Sequence, residues 1–138
     1  MGNSFKCKMK MAYKSFQEGF RLMGYRSFEE LEVWKLGCSL DVRVYEVLKE
    51  CRDFGLKDQM TRAAVSISSN IAEGAERDSK QEFIRFLHIA KGSAAELRTQ
   101  VYIACQIGII SNDIQKEFTE ELKKISSMLH GLIKSIKT

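Results

Sequence analysis

The 138-residue chain contains no proline. A proline inside a helix costs about 3 kcal/mol, because it lacks the amide donor and clashes with the preceding turn, so nothing here forbids long uninterrupted helices. Cysteine is scarce and scattered: Cys7, Cys38, Cys51 and Cys105 form no C-x-x-C pair. The two histidines, His88 and His130, lie far from each other and from every cysteine, so the spacing of a zinc site is missing. The cysteines read as small apolar filling in a reducing, cytoplasmic compartment. No apolar run approaches the roughly 20 residues of a membrane span, and none follows the basic N-terminus as a signal peptide requires.

Chemistry is equally sparse. There is no glycine-rich phosphate loop, no H-E-x-x-H and no strand-turn-helix elbow for a nucleophile. Bundles that hold paired metals use Glu-x-x-His, but the residues three before His88 and His130 are Arg85 and Ser127. The expectation is no catalytic residue, no metal, no cofactor and no small-molecule substrate.

What is present is ordinary globular material, 44% apolar and 29% charged. The net charge of +4 divides unevenly. Residues 1–26 hold Lys6, Lys8, Lys10, Lys14, Arg21 and Arg26 against Glu18 alone, a net of +5, which leaves −1 for the rest. The overall charge is therefore no argument for phosphate binding by the remainder. Residues 1–26 also lack a helical stripe. They read as a basic tail, or as a translated leader ahead of a start at Met23, because Gln17-Glu18-Gly19 can be encoded by a purine-rich ribosome-binding sequence.

Residues 27–138 carry four helical patterns. Ser27-Phe28-Glu29-Glu30 has the form of a capping box, predicting a first helix from there to about Cys51, with Gly55 as a stop. Leu31, Trp34, Cys38, Val42, Tyr45 and Leu48 form one apolar stripe; Val33, Leu36, Leu40, Val44, Val47 and Cys51 form another. A bundle helix needs an apolar arc only a little over 100° wide, so the surplus predicts a second partner along this helix. Val33, Trp34, Leu40, Val44 and Val47 are the expected oligomer interface; Trp34 has the alternative of stacking on a base.

A second helix over 57–76 has the stripe Leu56, Met60, Ala64, Ile67, Ile71, Ala75. Ser79-Lys80-Gln81-Glu82 is a second capping box, opening a helix whose stripe runs Phe83, Leu87, Ala90, Ala94, Leu97, Val101, Ala104, Gly108. Ser111-Asn112 caps the last, with Ile114, Phe118, Leu122, Ile125, Leu129, Leu132 and Ile136 inward. Long helices with short connections give an all-α, antiparallel, up-down-up-down four-helix bundle as a single domain.

Two polar groups stand out. Arg62, Asn70 and Glu73, with Glu96, Thr99 and Gln100, read as a satisfied polar network between helices or subunits rather than a binding site, since no nucleophile or histidine joins them. Arg77, Lys80 and Arg85 at the second turn, with Lys123, Lys124, Lys134 and Lys137 on the last helix, are the candidates for nucleic acid. Glu76, Asp78 and Glu82 dilute the first cluster and Glu117, Glu120 and Glu121 the second, so a solvated charged face is the competing reading. Repetition around an oligomer would let weak contacts add.

The residues 28–35, FEELEVWK, resemble the opening of the 23S ribosomal RNA intervening-sequence proteins. Residues 59–67 (QMTRAAVSI) and 69–74 (SNIAEG) resemble that family's most specific motif, and 82–87 (EFIRFL) and 92–100 (GSAAELRTQ) its third helix. The resemblance spans about residues 27–137. It implies a bacterial four-helix bundle with no established enzymatic activity, often encoded within insertions in the large ribosomal RNA gene. The family is similar to accessory proteins of diversity-generating retroelements, basic pentameric bundles that bind a reverse transcriptase and nucleic acid. The resemblance thus implies a homopentamer that binds structured RNA or a ribonucleoprotein, with an adaptor for a reverse transcriptase as the alternative. Two departures stand out: Ser68 occupies a position where the family often has proline, and Glu76 and Asp78 interrupt a turn that is often densely basic.

Overall fold

The computed structural model describes residues 26–137 as four α-helices without a strand among them. After a 3-10 turn at Phe28–Glu30 come α1 (Glu32–Val47), α2 (Phe54–Ala75), α3 (Lys80–Gln106) and α4 (Asn112–Lys137). The basic tail and the expected start at Met23 lie outside the described residues.

Consecutive helices reverse direction. Lys57 Nζ on α2 reaches the carbonyl of Lys49 just past α1, and Ser68 further along α2 meets Asp41. Gly74 at the end of α2 packs on Phe83 and Phe86 at the start of α3, whereas Ser66 meets Ser93. A short link returns the chain into α4, where the Cys105 thiol donates to Asn112 Oδ1 at 3.1 Å. Arg43 and Glu117 join α1 to α4 through guanidinium–carboxylate bonds of 3.0–3.2 Å. That pair is half exposed, so it adds under about 1 kcal/mol.

Burial drives the assembly. Val44, Met60, Ala64, Ile67, Ile71, Leu87, Leu97, Val101, Leu122, Ile125 and Leu129 are completely or almost completely buried in one continuous core. Each large member contributes about 1.5–3 kcal/mol of transfer free energy. The stripes read for α2, α3 and α4 face that core as their spacing requires.

The helix ends depart from the expectations in three places. The Ser27 box does not close: the Ser27 hydroxyl donates to Glu29 and Glu30 reaches back to the Arg26 amide, which winds a 3-10 turn and delays α1 to Glu32. α1 stops at Val47 rather than Cys51, because Asp53 caps the next helix by accepting from the Leu56 amide at 3.1 Å. Gly55 therefore lies inside the first turn of α2 instead of ending α1. Finally, Gly108 is a cap and not a core position. Its φ of +83° ends α3 with two crossed bonds, Ile109 N–H to Ala104 O at 2.8 Å and Gly108 N–H to Cys105 O at 3.1 Å. The Ser79 cap forms as expected, accepting from the Glu82 amide at 3.1 Å; the Ser111 hydroxyl accepts from Ile114 N–H at 3.2 Å.

The expected oligomer interface needs a larger correction. Val33, Leu40 and Val44 are buried in the protomer's own core, and Val47 is half-buried against it. The two stripes of α1 exchange roles: the one containing Leu40 and Val44 points inward, and the middle of the other is left outside.

Candidate functional site

Three features of the surface follow from this packing. The first is an apolar face shared by α1 and α2. Ser68 fixes the contact line between the helices, with its Cβ close beside Gly37 and its hydroxyl on Asp41. Cys38, Val42 and Tyr45 follow that line on the outer flank of α1, and Val65 and Ala72 lie one turn either side of Ser68 on α2. Val42 is 58% and Tyr45 51% exposed, and Val65 is exposed beside them. Trp34 is half-buried at one end, with its ring edge-on to Phe28 at 5.3 Å between centroids. Trp34 thus belongs to this face, while the other four residues expected at the interface do not.

Beneath the face lies a polar pair that the sequence reading did not single out. Asp41 is only 9% exposed, and its Oδ1 is buried with no hydrogen-bond partner. Its Oδ2 is 2.6 Å from Ser68 Oγ, which also lies 3.2 Å from the carbonyl of Val65. Burial pushes the Asp41 carboxyl up to about 6, against the lowering effect of the Ser68 hydrogen bond. Burial, then the Asp41 charge, also push the Cys38 thiol up. The signal was present in sequence: residues 38, 41 and 45 share one helical flank, and an acid interrupts it.

The second feature is the seam between α2 and α3. Ser66 and Ser93 hydroxyls meet at 2.8 Å, and Asn70 Nδ2 donates to both the carbonyl and the hydroxyl of Ser66 at 2.7 and 2.9 Å. The network expected here was a different one. Arg62 turns to Asp58, Glu73 pairs with Arg77 at 3.8 Å, and Thr99 donates to the Ala95 carbonyl of its own helix. Only Asn70 enters the cross-helix set. Gln100 donates weakly to Glu96 at 3.4 Å, and its buried Oε1 has no partner. Long side chains at the outward positions find ligands one turn away, whereas short serines sit where the helices touch. On the same side of the bundle, Ile89 and Ile103 are exposed on α3 and Ile107 just past its end.

The third feature is the end of the bundle where α2 passes into α3. Gly74 lacks the Cβ that would sit 2.6 Å from Phe86 Cβ, so α3 closes against α2 and brings the Phe86 ring between two arginines. The Arg77 and Arg85 guanidinium carbons both lie 4.8 Å from the centre of that ring. Arg85 also bonds Glu82 at 3.0 Å. Lys80 is exposed on the first turn of α3. α4 ends here too, bringing Lys134 and Lys137, and α1 begins here. Lys123 and Lys124 do not join this group. They lie near the middle of α4, about 20 Å along the helix at about 1.5 Å per residue.

An open cleft of about 220 Å³ separates α1 from α4, lined by Ser39, Leu40, Arg43, Glu117, Phe118 and Glu121. Among the described residues no group of three or more His, Cys, Asp or Glu is placed to hold a metal ion, and no helix is long and apolar enough to cross a membrane.

Core, faces and basic end together define a helical bundle whose conspicuous features are surfaces. The chain belongs to the 23S rRNA-intervening sequence protein family, which matches over residues 29–131. It is similar to a crystal structure of a protein with unknown function from the S23 ribosomal protein family of Bacteroides thetaiotaomicron VPI-5482. The two are 25% identical with a TM-score of 0.70, covering 74% of this chain and 98% of that one. No curated protein matches the chain.

Proposed function

We propose that the chain is a non-catalytic, self-associating bundle that presents a cationic end to structured RNA or a ribonucleoprotein. The observation that carries the assembly is the exposed α1–α2 face, where Val42 and Tyr45 remain in water beside Val65. The occupant that fits best is a second copy. On the other side of α2 the chain exposes a second, unlike set of apolar side chains, Ile89 in the first half of α3 and Ile103 and Ile107 near its end. Laying one on the other leaves a free surface of each kind, so the contact repeats until a ring closes. A homopentamer is one such ring.

The RNA reading rests on convergence. Arg77, Lys80 and Arg85 share an end of the bundle with Lys134 and Lys137. Acidic neighbours make each patch modest, and a ring multiplies it. Lys123 and Lys124 form a separate, weaker patch.

RNA retention on filters at about 50 and about 200 mM salt tests this. Affinity should fall at least tenfold between them, and the R77E/K80E/R85E variant should lose most of the low-salt binding. Retention no better than that of a neutral protein sinks the RNA reading. The adaptor for a protein partner, a reverse transcriptase among them, would then take its place.

A further inference from the structure

Asp41 sits where a charge is costly and where the fold offers a neutral alternative. The Ser68 hydroxyl has one proton but two acceptors in reach, Asp41 Oδ2 at 2.6 Å and Val65 O at 3.2 Å. If the carboxyl is protonated, Asp41 Oδ2–H donates to Ser68 and Ser68 donates onward to Val65, and both contacts are filled. An ionised Asp41 leaves one of the two contacts without a hydrogen.

Among the described residues, no cation offsets the charge. α2 presents Thr61, Val65, Ser68 and Ala72 around the contact, all neutral, and the charged pairs to either side along it, Asp58 with Arg62 and Glu73 with Arg77, are engaged with each other. On α1 the neighbours are Cys38 and Tyr45, while Arg43 turns away to Glu117 on α4. Glu29 and Glu30 of the preceding turn bond Ser27 and the Arg26 amide.

We propose that Asp41 is a proton-binding site governing the α1–α2 face: covering that face with a second copy of the chain closes off the 9% of Asp41 still exposed and deepens its burial, so assembly takes up a proton and strengthens as pH falls. This rests on self-association through that face. The proton comes from solvent and returns to it on dissociation, and no other bond changes.

The test combines light scattering of the full chain from about pH 5 to about pH 8 with carboxyl-carbon NMR titration of Asp41 in the unaltered protein. Above the Asp41 titration, association should weaken by up to about tenfold per pH unit for each proton bound. D41N, a shape mimic of the protonated acid, should assemble with no such dependence. A stable oligomer with pH-independent association, or an Asp41 that titrates near 4, overturns the proposal and leaves the assembly reading standing. A monomer at every pH overturns both. Should D41N fail to fold, dilution of the wild-type oligomer in weak buffer decides the matter: proton release supports the proposal, and none contradicts it.

Discussion

Asp41 makes the folded chain itself sensitive to pH. Its carboxyl rises from 3.8 to about 6 on folding, so the folded state holds a proton that the unfolded state has released. The resulting stability is complete below about 4 and is lost as pH rises through about 6; above that, the buried charge opposes folding. D41N should therefore raise the thermal midpoint at about pH 7.5, by the equivalent of about 1–2 kcal/mol, with the difference vanishing near pH 4. Calorimetry at several pH values reads this directly, and an equal gain at all pH values would assign the effect to packing. Gly74 carries a second prediction at this scale. A Cβ there meets Phe86 Cβ at 2.6 Å and Phe83 Cδ2 at 3.1 Å, so Gly74→Ala should cost roughly 1–3 kcal/mol in urea unfolding and loosen the Phe86 ring between its arginines. The arginines of this end were legible in the sequence as a charge cluster. Phe86 was not, since a phenylalanine within EFIRFL reads as core filling, which it also is.

At the scale of the element, periodicity identified four helices and most of their inward residues, because burial on one side leaves a repeat of 3.6 that needs no tertiary knowledge. Helix ends were less legible, since several residues compete for one cap. Ser27 and Asp53 both have capping side chains, yet only Asp53 accepts from the amide three residues on. Gly108 was folded into a stripe because its spacing fits one, and only its positive φ reveals the cap. A glycine within α3 and the glycine that caps its end should accordingly respond with opposite signs. Gly108→Ala must place a side chain at φ +83° and should lose about 1–2 kcal/mol. Gly92→Ala lies mid-helix with nothing within 4 Å of the new methyl and should gain about 0.5–1 kcal/mol. Chemical denaturation of the two variants beside wild type checks both signs at once.

For the whole molecule, the structure bears on where the surplus apolar surface of α1 lies. α1 does have more apolar circumference than one core can use. The spare part is not the stripe of Leu40 and Val44, whose residues are buried within the protomer, but the flank of Cys38, Val42 and Tyr45. Both stripes contain similar residues, so only the rotation of α1 against α2, set by Asp41 and Ser68, decides between them. Substituting Val42 and Tyr45 should leave folding intact, since both already face water in the protomer. The central claim is therefore tested most directly by the mass of the purified chain in light scattering at micromolar concentration, beside the Val42→Asp/Tyr45→Glu variant. Wild type should weigh a multiple of its 15.8 kDa chain, and the variant, with unchanged helicity, should weigh 15.8 kDa. A wild-type chain that is folded and weighs 15.8 kDa throughout would contradict the account.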